Sequence, residues 1–145
     1  TSGASGFIHV AIDTTDSINA RLAIENVVDA AINGIEAAAK ESGMKRFVYT
    51  SSPFAATFPS PDKRLAITTE TSNDGAVRKA NLPGPEGDVV YAASKVEAER
   101  RIMAWVKANK PNLVVNMGTV PLHSSILYTL ANERSSPQRE HWPNY

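Results

Sequence analysis

Apolar residues recur at positions 24, 27, 28, 31, 32, 35, 38 and 39, the i, i+3, i+4, i+7 stripe of an amphipathic helix. Lys40 falls in the last turn of that stripe and Gly43 just past it, the usual signals of a helix C-terminus. Two short apolar runs flank the stripe. Phe7-Ile8-His9-Val10-Ala11 lies between Gly6 and the turn-rich Asp13-Thr14-Thr15-Asp16, and Arg46-Phe47-Val48-Tyr49-Thr50 follows the helix. Both have the length and flanks of buried strands. A second helix is predicted from near Val90 to about Asn109, with Ala98, Ile102, Trp105 and Val106 on one face and Pro111 closing it. Leu113-Val114-Val115-Asn116-Met117 reads as a third strand. Strands alternating with helices predict an α/β fold, with a parallel sheet and right-handed crossovers.

Residues 53 to 90 change character. Pro53, Pro59, Pro61, Pro83 and Pro85, with Gly75, Gly84 and Gly87, make this stretch loop-rich, and so long a loop is expected to be functional or mobile. After Gly118 the pattern dissolves into a short helix over Ser124 to Asn132 and a polar tail from Ser135. The expected organisation is one domain over residues 1–121 and an irregular C-terminal tail over 122–145.

The 145 residues suffice for one domain with a real core. Fifteen basic and fifteen acidic side chains cancel, so no bulk charge draws the chain to nucleic acid or an anionic membrane surface. No apolar run approaches the ~20 residues of a membrane span. The absence of cysteine excludes disulfides and thiolate chemistry, and fits a reducing, cytoplasmic location. Three scattered histidines match no metal-ligand spacing. His9, inside an apolar strand, reads as a core histidine, and His123 and His141 as solvated.

The candidate chemistry lies in Tyr91-Ala92-Ala93-Ser94-Lys95 and in the upstream Tyr49-Thr50-Ser51-Ser52. Tyrosine is a poor base at neutral pH, with a pKa of ~10, but a nearby ammonium favours the phenolate. Residues i and i+4 share a helix face, so the Lys95 amine can come within reach of the Tyr91 ring. A serine at the carboxyl end of a parallel strand faces the crevice where α/β sheets bind ligands. There it can orient a carbonyl or alcohol oxygen against the tyrosine, giving an acid/base pair for carbonyl reduction or alcohol oxidation. The bland alternative for a Tyr-x-x-x-Lys is a solvated helix face. Glu97, Glu99, Arg100 and Arg101 read most simply as such a face, with Glu97 and Arg101 an i, i+4 pair. A serine hydrolase is disfavoured, because no Gly-x-Ser-x-Gly elbow surrounds the two serines, with Thr50 before them and Pro53 after.

With these residues the chain resembles the extended short-chain dehydrogenase/reductase superfamily, most closely its NAD-dependent epimerase/dehydratase and dihydroflavonol-reductase or aldehyde-reductase-like branch. The resemblance rests on Gly6-Phe7-Ile8-His9-Val10-Ala11, on the helix through Asn33-Gly34 into Lys45-Arg46-Phe47-Val48-Tyr49-Thr50-Ser51-Ser52, and on Tyr91-Ala92-Ala93-Ser94-Lys95-Val96-Glu97-Ala98-Glu99. It implies a partial Rossmann-type, doubly wound parallel sheet with three strands alternating with helices. It also implies NADP or NAD as cofactor and a small-molecule carbonyl or alcohol as substrate. By resemblance Tyr91 is the acid/base and Lys95 binds the nicotinamide ribose. Ser52, with Ser51 as its neighbour, orients the substrate, while Ala11, Val120 and Pro121 lie along the cofactor.

Two departures qualify it. The family opens with a strand and a glycine turn whose following helix receives the pyrophosphate. Gly3-Ala4-Ser5-Gly6 precedes a strand instead of following one, and is rejected as that turn. A start at Thr1, and the loss of resemblance beyond Met117, lead one to expect a truncated chain. The alternative function is then a non-catalytic nucleotide-binding or remnant module. In the family's strand order Phe7–Ala11 would be left as a bare apolar edge, where self-association is expected.

Overall fold

A computed structural model describes residues 3–11, 19–59, 66–119 and 126–128. Its elements are β1 (Gly6–His9), α1 (Ala20–Lys40), β2 (Arg46–Thr50), α2 (Pro53–Ala56), α3 (Asp74–Ala80), α4 (Gly87–Asn109), β3 (Val114–Thr119) and β4 (Ile126–Tyr128). The sheet runs in the order β1-β2-β3-β4. Gly6 pairs with Arg46 and Arg46 with Val114, so the first three strands are parallel and start in register. The sequence pattern thus predicts the α/β class and its parallel core correctly.

Strand order explains where the helices go. Both crossovers step the same way across the sheet, so two right-handed connections must lie on the same face. Accordingly α1 and α4 pack against each other. Val27, Ala31, Ile35 and Ala38 of α1, and Ala98 and Ile102 of α4, bury one core with Phe47, Tyr49, Val115 and Met117 of the sheet. The apolar stripe along α1 faces this core, buried or half-buried except at the exposed Ala39. Asn19 caps that helix, its side chain accepting the Leu22 N–H. Ile8 on β1 is 66% exposed and Val10, just beyond it, 67%. This strand is the sheet's edge among the described residues.

Two short helices occupy the stretch expected to be loop. Each is too brief to show a helical period and is set by its cap. Ser52 caps α2, with Pro53 preset for its first turn, and Asn73 caps α3 by accepting the Ala76 N–H. Residues 126–128 form a strand where a short helix was expected. Ile, Leu and Tyr favour a pleated surface, and Met117–Thr119 offer an antiparallel partner. The other positions of that stretch, with His123, His141 and the rest of the 122–145 tail, lie outside the described residues except for this strand. No described helix is long and apolar enough to cross a membrane.

Candidate active site

Where β2 ends, Ser51 and Ser52 follow at the carboxyl edge of the sheet. The Ser51 N–H donates to the Gly118 carbonyl at 2.7 Å, continuing the pairing with β3. Ser52 then turns the chain into α2, its Oγ accepting the Phe54 N–H at 3.2 Å. That cap occupies an acceptor site and leaves the hydroxyl proton free to donate elsewhere. Both serines are buried.

The α4 helix brings Tyr91 and Lys95 to the same place. Tyr91 is half-buried and meets Phe54 of α2 edge-on, with ring centroids 6.3 Å apart. Lys95 is only 3% exposed, which decides against a solvated helix face. Its Nζ donates to the Thr50 carbonyl at 3.1 Å, beside the two serines. The same nitrogen lies 5.8 Å from the Tyr91 ring centroid and 5.1 Å from that of Tyr49. These are cation–π distances. Burial pulls the Lys95 ammonium below the usual lysine range, while the charge of Glu99 opposes that pull.

Glu99 is the residue that sequence reasoning misplaced. It is half-buried rather than on a solvated face, and with Ser52, Met103 and Gly118 it lines a cavity of about 70 Å³. Burial pushes its carboxyl up, against the Ser51 hydroxyl, Lys95 and Arg100, which hold it down. The expected Glu97–Arg101 pair is replaced by Glu97–Arg100 at 3.0 Å, and Arg100 also binds Asp74 of α3. The clue was available. Positions 91, 95 and 99 fall on one helix stripe, so a buried Lys95 brings Glu99 in with it.

Tyr49 and His9 behave as core residues. Tyr49 is fully buried, and its desolvated phenol is pushed well above the ordinary range. His9 Nε2 lies 3.1 Å from the Ala30 carbonyl, and burial lowers its imidazole below 6.5. Among the described residues no group of three His, Asp or Glu is placed to hold a metal ion.

Ala11 is exposed just beyond β1, at the same end of the sheet as the serines. Val120 and Pro121 lie outside the described residues. Gly3 to Gly6 sits at the opposite end. The Ser5 carbonyl accepts the N–H groups of Lys45 and Arg46, where the strands begin. A pyrophosphate held there would be a strand's length from Lys95, so this run cannot serve the same cofactor.

The residues present fit one end of a nicotinamide dinucleotide. Lys95 spends one N–H on Thr50 and has two left for vicinal hydroxyls, as a ribose offers. For the pyrophosphate end, the described residues show no glycine turn opening a helix at this edge.

No family profile matches the chain. Known proteins do. An NAD-dependent epimerase/dehydratase of Aspergillus terreus is 36% identical over 115 residues, covering 77% of this chain and 34% of the relative. Aldehyde reductase 2 of Sporidiobolus salmonicolor is 34% identical, covering 79% and 35%. The crystal structure of vestitone reductase from alfalfa superposes with a TM-score of 0.56 at 26% identity, over 78% of this chain and 33% of that one. The chain belongs to the short-chain dehydrogenase/reductase superfamily. This dehydrogenase/reductase chain spans about a third of the length of the curated relatives it matches. Its three parallel strands with α1 and α4 are part of a Rossmann-type sheet.

Proposed function

We infer that this chain carries the acid/base residues of an NAD(P)-dependent oxidoreductase that reduces a carbonyl or oxidises the corresponding alcohol. The observation that carries the reading is the burial of Lys95, fastened to the end of β2 beside Ser51 and Ser52 and under the Tyr91 ring. Burying an ammonium is costly, and a surface lysine would stay in water. When bound, the reduced nicotinamide supplies a hydride to the carbonyl carbon. Tyr91 gives its phenolic proton to the carbonyl oxygen, which becomes the alcohol. The Lys95 charge steadies the phenolate left behind, and its two remaining N–H groups hold ribose hydroxyls. The free Ser52 proton donates to the carbonyl oxygen and fixes its direction, with Ser51 beneath it. Alcohol oxidation runs through the same groups in reverse.

Relatives named aldehyde reductase and ketoreductase support a carbonyl or secondary alcohol as the substrate class. The cofactor is NADP or NAD. The absence of cysteine supports a reducing, cytoplasmic setting. Ala11, Val120 and Pro121 remain the proposed cofactor-lining positions, and the exposed edge of β1 the proposed place of self-association. The alternative, a non-catalytic nucleotide-binding or remnant module, is favoured by the position of Gly3 to Gly6 at the wrong end of the sheet.

Fluorescence titration of the 145-residue chain with NADPH and NADH tests the cofactor site, and turnover of an aldehyde panel by a chain that binds then separates catalysis from binding alone. Saturable binding, weakened at least tenfold by Lys95→Ala, is the expected result. A folded chain that binds neither cofactor would refute the catalytic reading and leave the remnant.

A further inference from the structure

Glu99 sits one turn beyond Lys95 and two beyond Tyr91 on the α4 stripe, about 6 Å along the axis per step. On that inward stripe it lies within electrostatic reach of three buried groups. Lys95 Nζ has one backbone acceptor, the Thr50 carbonyl. Ser51 Oγ has no hydrogen-bond partner at ordinary distance among the described residues, yet it lies close enough to steady the Glu99 carboxylate. Tyr49 Oη is likewise buried without a partner, and feels the same negative charge. A buried ammonium and an orphan hydroxyl are each costly, and a carboxylate near both offsets part of each cost.

We propose that Glu99 is a positioning residue of this site: its charge steadies the Lys95 ammonium without an ion-pair contact and its carboxylate is the acceptor within reach of the Ser51 hydroxyl, fixing the end of β2 from which Ser52 projects. Glu99 touches neither substrate nor cofactor in this role and acts through Lys95 and Ser51. Its link to catalysis rests on the function proposed above, whereas its effect on Lys95 does not.

The groups that bear on the titration come from three elements. From α4 these are Lys95, Tyr91 and Arg100, the last already paired with Asp74 and Glu97. From β2 it is Tyr49, and from β1 it is His9, whose imidazole feels the charge of Lys95. Arg100 is nearly half exposed and doubly engaged, so it is a poor substitute for Lys95 as the partner of Glu99.

The test follows the Lys95 side chain directly, by an NMR pH titration of the whole chain carrying ε-13C lysine, assigned with Lys95→Arg. In Glu99→Gln the Lys95 midpoint should fall by about one pH unit, a tenfold easier loss of the proton, with Glu99→Asp restoring part of it. In the unmodified chain the Lys95 resonance should also show a step at acid pH, where Glu99 takes up its proton. An unchanged Lys95 midpoint in Glu99→Gln would overturn the proposal. Should that variant fail to fold, the missing acid step in the unmodified chain would do so alone. A chain that binds no NADPH while Lys95 still responds to Glu99 would refute the cofactor reading and uphold the positioning role.

Discussion

Gly34 lies in the middle of α1, where the helix comes down on His9. A Cβ added there would stand 2.9 Å from His9 Cδ2 and 3.6 Å from Phe47 Cε2. On helix propensity alone Gly34→Ala should stabilise the chain by about 1 kcal/mol, since glycine loses the most backbone freedom on folding. The imidazole has little room to yield. Its Nε2 is tied to the Ala30 carbonyl at 3.1 Å, and Phe47 and Tyr49 flank it at centroid distances of 6.4 and 5.6 Å. Overpacking a core position costs about 1–3 kcal/mol, and losing the His9 hydrogen bond costs about 1 kcal/mol more. The cost wins. Gly34→Ala should destabilise by about 1–3 kcal/mol, read as a lower midpoint in urea at unchanged slope, followed by circular dichroism. In a His9→Ala background the obstacle is gone, and the same substitution should stabilise by up to about 1 kcal/mol. The reversal is a coupling of about 2–4 kcal/mol between the two positions. If Gly34→Ala stabilises the unmodified chain, or if the two effects simply add, His9 does not fill the space against α1 and the reasoning fails.

Two further outcomes test the core and its titration. Ile102→Ala empties a fully buried site shared by α1, α4 and the sheet, and should cost about 2–5 kcal/mol in the same urea assay; a loss below 1 kcal/mol would mean that the two helices do not share one core. His9 gives a pH dependence of definite sign. Burial holds its folded-state imidazole below 6.5, so on acidification the unfolded chain takes the proton first. Its contribution is complete above about 6.5 and is lost as pH falls from there through the lowered folded-state value. Glu99, raised in the folded state, acts the other way, adding stability as pH falls through its own range. Between pH 7 and 5, His9→Gln should therefore lose less stability than the unmodified chain, and an equal or larger loss would refute the assignment.

What the sequence revealed, and what it hid, follows from how far each feature reaches along the chain. The stripe from Ile24 to Ala39 is long, regular and buried on one side, so periodicity alone locates α1. The β2 run is equally plain, because Phe47 and Tyr49 alternate inward. The α4 helix is harder, since it buries Ser94 and Lys95 along with its alanines and so blurs its apolar face. Only the resemblance to a reductase marks those polar positions in advance. The α2 and α3 helices are settled by single capping side chains, and β4 by pairing with an edge that no local pattern announces.

Glu99 was hidden for a different reason. Among Glu97, Arg100 and Arg101 it looks like one more surface charge, and local composition cannot separate it from them. Its inward position depends on Lys95 reaching the Thr50 carbonyl, a contact across forty-five positions of sequence. That contact joins the end of β2 to α4, and with them Ser52 to Tyr91. The same long-range fact that makes Tyr91-x-x-x-Lys95 a site therefore makes Glu99 part of its support. A motif read as three residues is, in the folded chain, a stripe of α4 closed against the end of one strand.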